Sequence, residues 1–238
     1  MNIKVFLDFD GVLFDSVKEA YLLARKAYFD IDVKAPIESK HYQKFRDFRY
    51  LVTHSWQFYY ILKLIEENVE RTFFENLFTQ NSVKTQAVID FDNKYTEARE
   101  NLLKSDFDFW DKLDEPFEFF YDIKKLSENN PGKFIILTNK KKLPVQNKLK
   151  KYGVNNIQLF ANEDLKAYNS KAEFIDKYIQ NKNIDNCFLI EDSIDNINSC
   201  KKYPQITPLL VYWGYVHPKE KGLSEKEILE IIQKLEVI

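Results

Sequence analysis

The sequence predicts an α/β protein, a Rossmann-like parallel-sheet core interrupted by an inserted all-helical domain. Short apolar runs at 4–8, 133–138, 157–160, 187–190 and 209–213 have the length and composition of buried strands. Amphipathic helical stretches lie between most of them, and strand alternating with helix builds a parallel sheet. One interval breaks the alternation: from Ser16 to about Glu115 the periodicity is helical and strand signal is sparse.

The length of 238 residues permits one large domain or a core with a smaller insert, and 45% hydrophobic with 30% charged residues is the profile of a folded, soluble chain. A formal net charge of −2 offers nucleic acid or an acidic membrane no electrostatic handle. No apolar run approaches the roughly 20 residues of a membrane helix, and the chain begins directly on Ile3-Lys4-Val5-Phe6-Leu7 without a basic and apolar leader. Cys187 and Cys200 lack disulfide or metal-ligand spacing and read as buried free thiols. The expectation is a cytoplasmic protein, monomer or homodimer.

The elements follow in order. The first strand leads into Ser16 and Glu19, a capping-box pattern opening a helix that carries Ala20, Leu23, Ala24 and Ala27 on one face. A second helical pattern runs over 42–67, and others over 69–78 and 83–104. Expected boundaries are therefore a core of 1–15 and 116–238 and a helical domain of 16–115. In the core, Ser170 and Glu173 cap a helix bearing Phe174, Ile175, Tyr178 and Ile179. Ser224 and Glu227 cap the last one, with Ile228, Ile231, Ile232 and Leu235 inward.

Chemistry-bearing residues gather where these strands end. The first closes in Asp8-Phe9-Asp10-Gly11, where alternation separates Asp8 from Phe9 and a turn at Gly11 lets both carboxylates meet at the sheet's end. The second ends in Thr138-Asn139, the fourth in Glu191-Asp192-Ser193, and Lys171 sits in the first turn of the Ser170-capped helix. Carboxylates crowded at the mouth of a sheet repel one another. A hard divalent cation with oxygen ligands, supported by a lysine, resolves that conflict, and Mg2+ suits such a ligand set.

With these residues in this order, the chain resembles the haloacid dehalogenase-like superfamily, in particular its helical-cap phosphatases related to phosphoglycolate phosphatase and β-phosphoglucomutase. Asp8-Phe9-Asp10-Gly11-Val12-Leu13-Phe14-Asp15-Ser16 is similar to the family's first motif, Leu137-Thr138-Asn139 to the second, Lys171 to the third and Ile190-Glu191-Asp192-Ser193 to the fourth. The resemblance implies a phosphatase acting on a small phosphate monoester. Asp8 would be the nucleophile and Asp10 the acid and base. Thr138, Asn139, Gly11 and Lys171 would hold the phosphoryl group. Mg2+ would bind Asp8, the Asp10 carbonyl, Asp192 and Glu191. Dehalogenases of the family generally lack the second aspartate of the first motif, so Asp10 points to phosphoryl transfer. β-Phosphoglucomutases carry a histidine where this chain has Ala20, which favours hydrolysis over mutase chemistry.

Ordinary readings stand beside these. Thr138 can be a plain strand-end residue, Lys171 competes with Lys166 and Lys177, and Glu191 and Asp192 can simply cap the next helix. Relatives place a later acidic residue where this chain has Asn196, so Asp195 is at most supporting. The run Lys140-Lys141-Lys142 reads as the wet face of a helix. In the helical domain, which in the family closes over the core and selects substrate, Arg46, Arg49, Tyr50 and His54 are candidate specificity residues. A basic, solvated helix face with aromatics turned inward explains the same pattern. Sugar phosphates, phosphoglycolate and phosphorylated amino alcohols or their sugar conjugates all fit.

Overall fold

The computed structural model describes residues 2–234; Leu235, expected on the inward face of the last helix, lies outside them. The chain divides into two compact units, Met1–Asp15 with Glu115–Ile238, and Ser16–Asp114.

The second unit is helical: α1 (Val17–Phe29), α2 (Ser39–Asp47), α3 (Phe58–Glu66), α4 (Arg71–Asn81), α5 (Gln86–Ser105) and α6 (Phe107–Asp111). Ala20, Leu23, Ala24 and Ala27 are buried along α1, as their spacing dictates. The expected capping box at its start does not form. Ser16 occupies the N-cap without a side-chain cap hydrogen bond, while the buried Glu19 carboxylate accepts from Arg99 Nε (2.9 Å) and Trp110 Nε1 (2.8 Å). Glu19 thus ties α5 and α6 to α1.

The pattern over 42–67 is not one helix either. It breaks into α2, two 3-10 turns at Arg49–Leu51 and Ser55–Gln57, and α3. The break has a local cause: Gln57 Oε1 accepts from the Thr53 and His54 amides at 2.8 and 2.9 Å, replacing helical partners with a side chain. Aromatics from this stretch build the unit's own core, with Phe45 packed on Tyr21 (5.3 Å between ring centroids) and Phe58 (5.1 Å). Among the described residues, no helix is long and apolar enough to cross a membrane.

The first unit carries strands β1 (Ile3–Leu7), β2 (Phe14–Asp15), β3 (Glu115–Pro116), β4 (Phe134–Leu137), β5 (Gln158–Phe160), β6 (Asn186–Glu191) and β7 (Ile206–Leu210). Its helices are α7 (Glu118–Asn129), α8 (Lys142–Lys151), α9 (Asn162–Leu165), α10 (Lys171–Lys182), α11 (Ile194–Ser199) and α12 (Glu225–Lys234). Five strands form one sheet in the order β5-β4-β1-β6-β7, and every pairing in it is parallel. β2 and β3 pair antiparallel where the chain leaves and re-enters the core.

Alternation along the strands divides the core into two layers. Val5, Leu7, Phe134, Ile136 and Ile190 pack with Phe119, Phe120 and Ile123 of α7, Val145 of α8 and Ile228 of α12. Phe6, Ile135, Leu137, Cys187 and Leu189 pack with Phe174, Ile175 and Ile179 of α10 on the other face. Cys187 and Cys200 are free and buried, and burial pushes their thiols up to about 12 and about 11. The expected Rossmann-like core with a helical insert is the fold that forms.

The last strand lies earlier than the 209–213 expected. It spans Ile206–Leu210 and contains Pro208, which lacks a donor for a central ladder. β7 is the sheet's edge, so the missing donor faces no partner strand. Residues 211–213 instead run into a loop beside the site.

Candidate functional site

β1 is the central strand, and its carboxyl end delivers Asp8. The Asp8 amide continues the ladder to the Ile190 carbonyl (3.0 Å), whereas Phe9 turns into the core and stacks on Phe14 at 4.5 Å. The chain then folds back tightly, with the Leu13 and Phe14 amides both donating to the Phe9 carbonyl (3.0 and 2.9 Å). Gly11 sits in this turn at φ +83°, and a Cβ there would lie 2.0 Å from Asp192 Oδ2. Any side chain at 11 is thus excluded twice, by backbone conformation and by the facing carboxylate. Gly11→Ala should destabilise the protein by about 2 kcal/mol or more; a urea midpoint unchanged from the parent would contradict this.

Opposite the turn, β6 ends in Glu191 and is followed by Asp192. Asp8, Glu191 and Asp192 are all buried, and one carboxylate oxygen from each lies within 4.8 Å of the others. Lys171, the first residue of α10, enters this cluster. Its Nζ stands 2.8 Å from Asp8 Oδ1 and 3.1 Å from Glu191 Oε1. Burial pulls the ammonium down, but the Asp8 and Glu191 charges and hydrogen bonds outweigh it and hold Lys171 above the ordinary lysine range. Lys166 and Lys177, its rivals in the sequence, are exposed.

Glu191 is fully buried, and burial followed by the neighbouring Asp8 and Asp192 charges pushes its carboxyl well above the usual range, against the pull of Lys171. Its Oε1 accepts from Lys171 and Asn196 Nδ2, while Oε2 has no hydrogen-bond partner. A buried acceptor without a partner is costly, and Glu191 together with Asp8 and Asp192 makes an oxygen-only cradle that fits a hard divalent cation. Asn196 therefore faces the site, and Asp195 is exposed in the first turn of α11.

Thr138 is buried at the end of β4, its amide bonded to the Phe160 carbonyl (3.0 Å) and its Oγ1 accepting from the Lys140 amide (3.1 Å). Asn139 beside it is exposed. Lys140 does not belong to a wet face: it is 7% exposed, and its Nζ lies 3.0 Å from Asp10 Oδ1. Lys141 is exposed, and Lys142 is partly so at the start of α8.

The loop after β7 supplies further residues that sequence reasoning missed. The Tyr215 amide donates to Asp192 Oδ2 (2.8 Å) and its hydroxyl to Asp15 Oδ1 (3.0 Å), and Trp213 Nε1 donates to the Val12 carbonyl (3.1 Å). A Cβ on Gly214 would lie 2.4 Å from the Gly11 carbonyl oxygen. The available signal was a glycine, one of only five in the chain, placed just beyond a strand's carboxyl end, where α/β ligands bind.

In the helical unit, Arg49 Nη1 donates to the Val52 carbonyl (2.8 Å) and its guanidinium lies 5.3 Å from the Phe58 ring centroid, which gives it a structural task. Arg46 and His54 are exposed. Tyr50 is half-buried, and burial with the Glu75 charge raises its phenol.

No protein-family model and no curated protein matches this sequence. Solved structures do match its fold. A predicted phosphoglycolate phosphatase from Haemophilus somnus superposes with a TM-score of 0.66 at 14% identity, over 97% of each chain. A haloacid dehalogenase-like family hydrolase from Streptococcus pneumoniae gives 0.57 at 15% identity, over 98% of this chain and 99% of its own. A hydrolase from Pseudomonas syringae gives 0.60 at 15% identity with the same coverage. With the parallel order β5-β4-β1-β6-β7 and a helical insert directly after the first strand, the chain has the haloacid dehalogenase-like fold.

Proposed function

We propose that this protein is a Mg2+-dependent phosphatase that hydrolyses a small-molecule phosphate monoester through a phosphorylated Asp8. The observation that carries the reading is the pairing of Asp8 with buried Lys171 inside a cluster of buried acids, one of which keeps an oxygen without a partner. Asp8, the Asp10 carbonyl, Asp192 and Glu191 would hold Mg2+, which when bound offsets their repulsion and the charge of the phosphoryl oxygens.

Asp8 attacks phosphorus as the bond to the leaving oxygen breaks, and Asp10 gives that oxygen a proton. Water then attacks the aspartyl-phosphate, passes a proton to Asp10, and releases inorganic phosphate with Asp8 restored. Lys171, Thr138, Asn139 and the Gly11 turn hold the phosphoryl oxygens, so that most of the catalysis is positioning and charge stabilisation. Ala20 has no proton-carrying side chain, which favours hydrolysis over mutase chemistry. Two free cysteines accord with a cytoplasmic setting.

Phosphate release from p-nitrophenyl phosphate and a panel of metabolite monoesters tests the proposal. Turnover should appear with Mg2+, fall by about 100-fold or more on chelation, and return when Mg2+ is restored. Turnover that persists in chelator would exclude the metal. Failure on every ester, with Mg2+ present, would exclude the phosphatase.

A further inference from the structure

We propose that Lys140 is the positioning residue for Asp10, acting on the proposed reaction through that carboxylate rather than through the phosphate. The inference rests on the phosphatase reading and adds a group to it. Lys140 directly follows the strand-end pair Thr138-Asn139 and stands in a lysine run, yet its side chain is only 3% exposed. An ammonium is removed from water at such cost that it is found buried only with a partner, and Asp10 Oδ1 at 3.0 Å is one.

The backbone makes this contact rigid. The Lys140 amide donates to Thr138 Oγ1 (3.1 Å) and its carbonyl accepts from the Asn162 amide (3.0 Å), so both sides of the residue are fixed to the sheet's end. The stem passes the core ring of Phe9, with Nζ 5.6 Å from its centroid. Asp10, by contrast, projects from a turn with its side chain 25% exposed. Its rotamer has to be set from outside, and Lys140 sets it. A proton donor works only within hydrogen-bond reach of the leaving oxygen, and a displacement of about 1 Å can cost about 100-fold.

Such a role makes a distinctive demand on substrate chemistry. In the first step the oxygen leaving phosphorus takes its proton from Asp10. An acidic phenol can leave without that proton, whereas an alcohol cannot. A residue that binds phosphate would instead affect both equally.

The test compares kcat/KM on p-nitrophenyl phosphate and on benzyl phosphate, which are similar in size and differ in leaving-group acidity. Lys140→Met and Lys140→Gln should lose about 30- to 100-fold on benzyl phosphate and less than about 3-fold on p-nitrophenyl phosphate, with Lys140→Arg recovering most of the loss. In an Asp10→Asn background the same substitutions should cost less than about 3-fold on either ester, since the group they act through is gone. Near-UV circular dichroism shows whether each variant is folded, and either one suffices. Equal losses on the two esters, or losses that add to those of Asp10→Asn, would overturn the assignment. A wild type that turns over neither these two esters nor any member of the metabolite panel would remove the phosphatase reading and this inference together.

Discussion

Asp8→Asn should fold as the parent does and lose about four orders of magnitude or more in turnover. The two halves of that expectation have separate causes. Folding is preserved because the carboxamide oxygen of the introduced asparagine can replace Asp8 Oδ1 toward both the Phe9 amide, now at 2.8 Å, and Lys171. Lys171 keeps Glu191 as its counter-charge, and one member of a crowded set of acids is neutralised, so the net change in stability should stay within about 1 kcal/mol. Turnover disappears because a carboxamide is a poor nucleophile toward phosphorus, and the remaining groups only position the ester. Acid-quenched incubation with phosphorus-labelled substrate should leave label on the parent and none on the variant. Substantial turnover by a folded Asp8→Asn protein would place the nucleophile elsewhere.

The parts of this molecule that were legible in the sequence are those set by local pattern. Runs such as Phe134–Leu137 are apolar on both faces because helices cover both faces, and that composition is visible without coordinates. Asp8, Asp192 and Lys171 fall at strand ends or in a helix's first turn, and a parallel sheet brings such positions to one edge. What escaped notice depends on long-range contacts. Nothing in Lys140-Lys141-Lys142 says which ammonium turns inward; that is decided by Thr138 and Asn162 gripping the backbone of one of them. Asn196 rather than Asp195 meets Glu191, because one helical step rotates a side chain by about 100° and the register of α11 comes from packing. The last strand, expected at 209–213, begins at Ile206 and contains Pro208, which an edge position tolerates, and the sequence does not say which strand is outermost. The aromatic and basic stretch 42–60 admits both readings by composition alone. Its ligand-like composition mostly serves the helical unit's own core, with Arg49 lying over Phe58.

Lys171→Met should have the largest effect on stability of any single change at the site, about 3–5 kcal/mol in chelator. Methionine matches the stem in volume and leaves no cavity, so the loss isolates the charge. Removing it leaves Asp8 and fully buried Glu191 facing each other without their shared cation, and Glu191 already sits well above its usual range with Lys171 pulling it down. The sign of the pH dependence follows. The folded-state value of Glu191 rises further in the variant, so the unfolded chain gives up this proton more easily than the folded one. Both proteins then lose stability as pH climbs above about 4.3, the ordinary glutamate value, and the gap between them should widen only above the parent's own raised Glu191 value and narrow below it. Adding Glu191→Gln to Lys171→Met removes one of the two stranded carboxylates and should recover a large part of the deficit, a non-additivity expected of groups in direct contact. Urea unfolding at several pH values measures all of this without reference to activity. A deficit that is flat with pH, or two substitutions whose costs simply add, would mean that Lys171 fills space at the mouth of the sheet instead of balancing its charge.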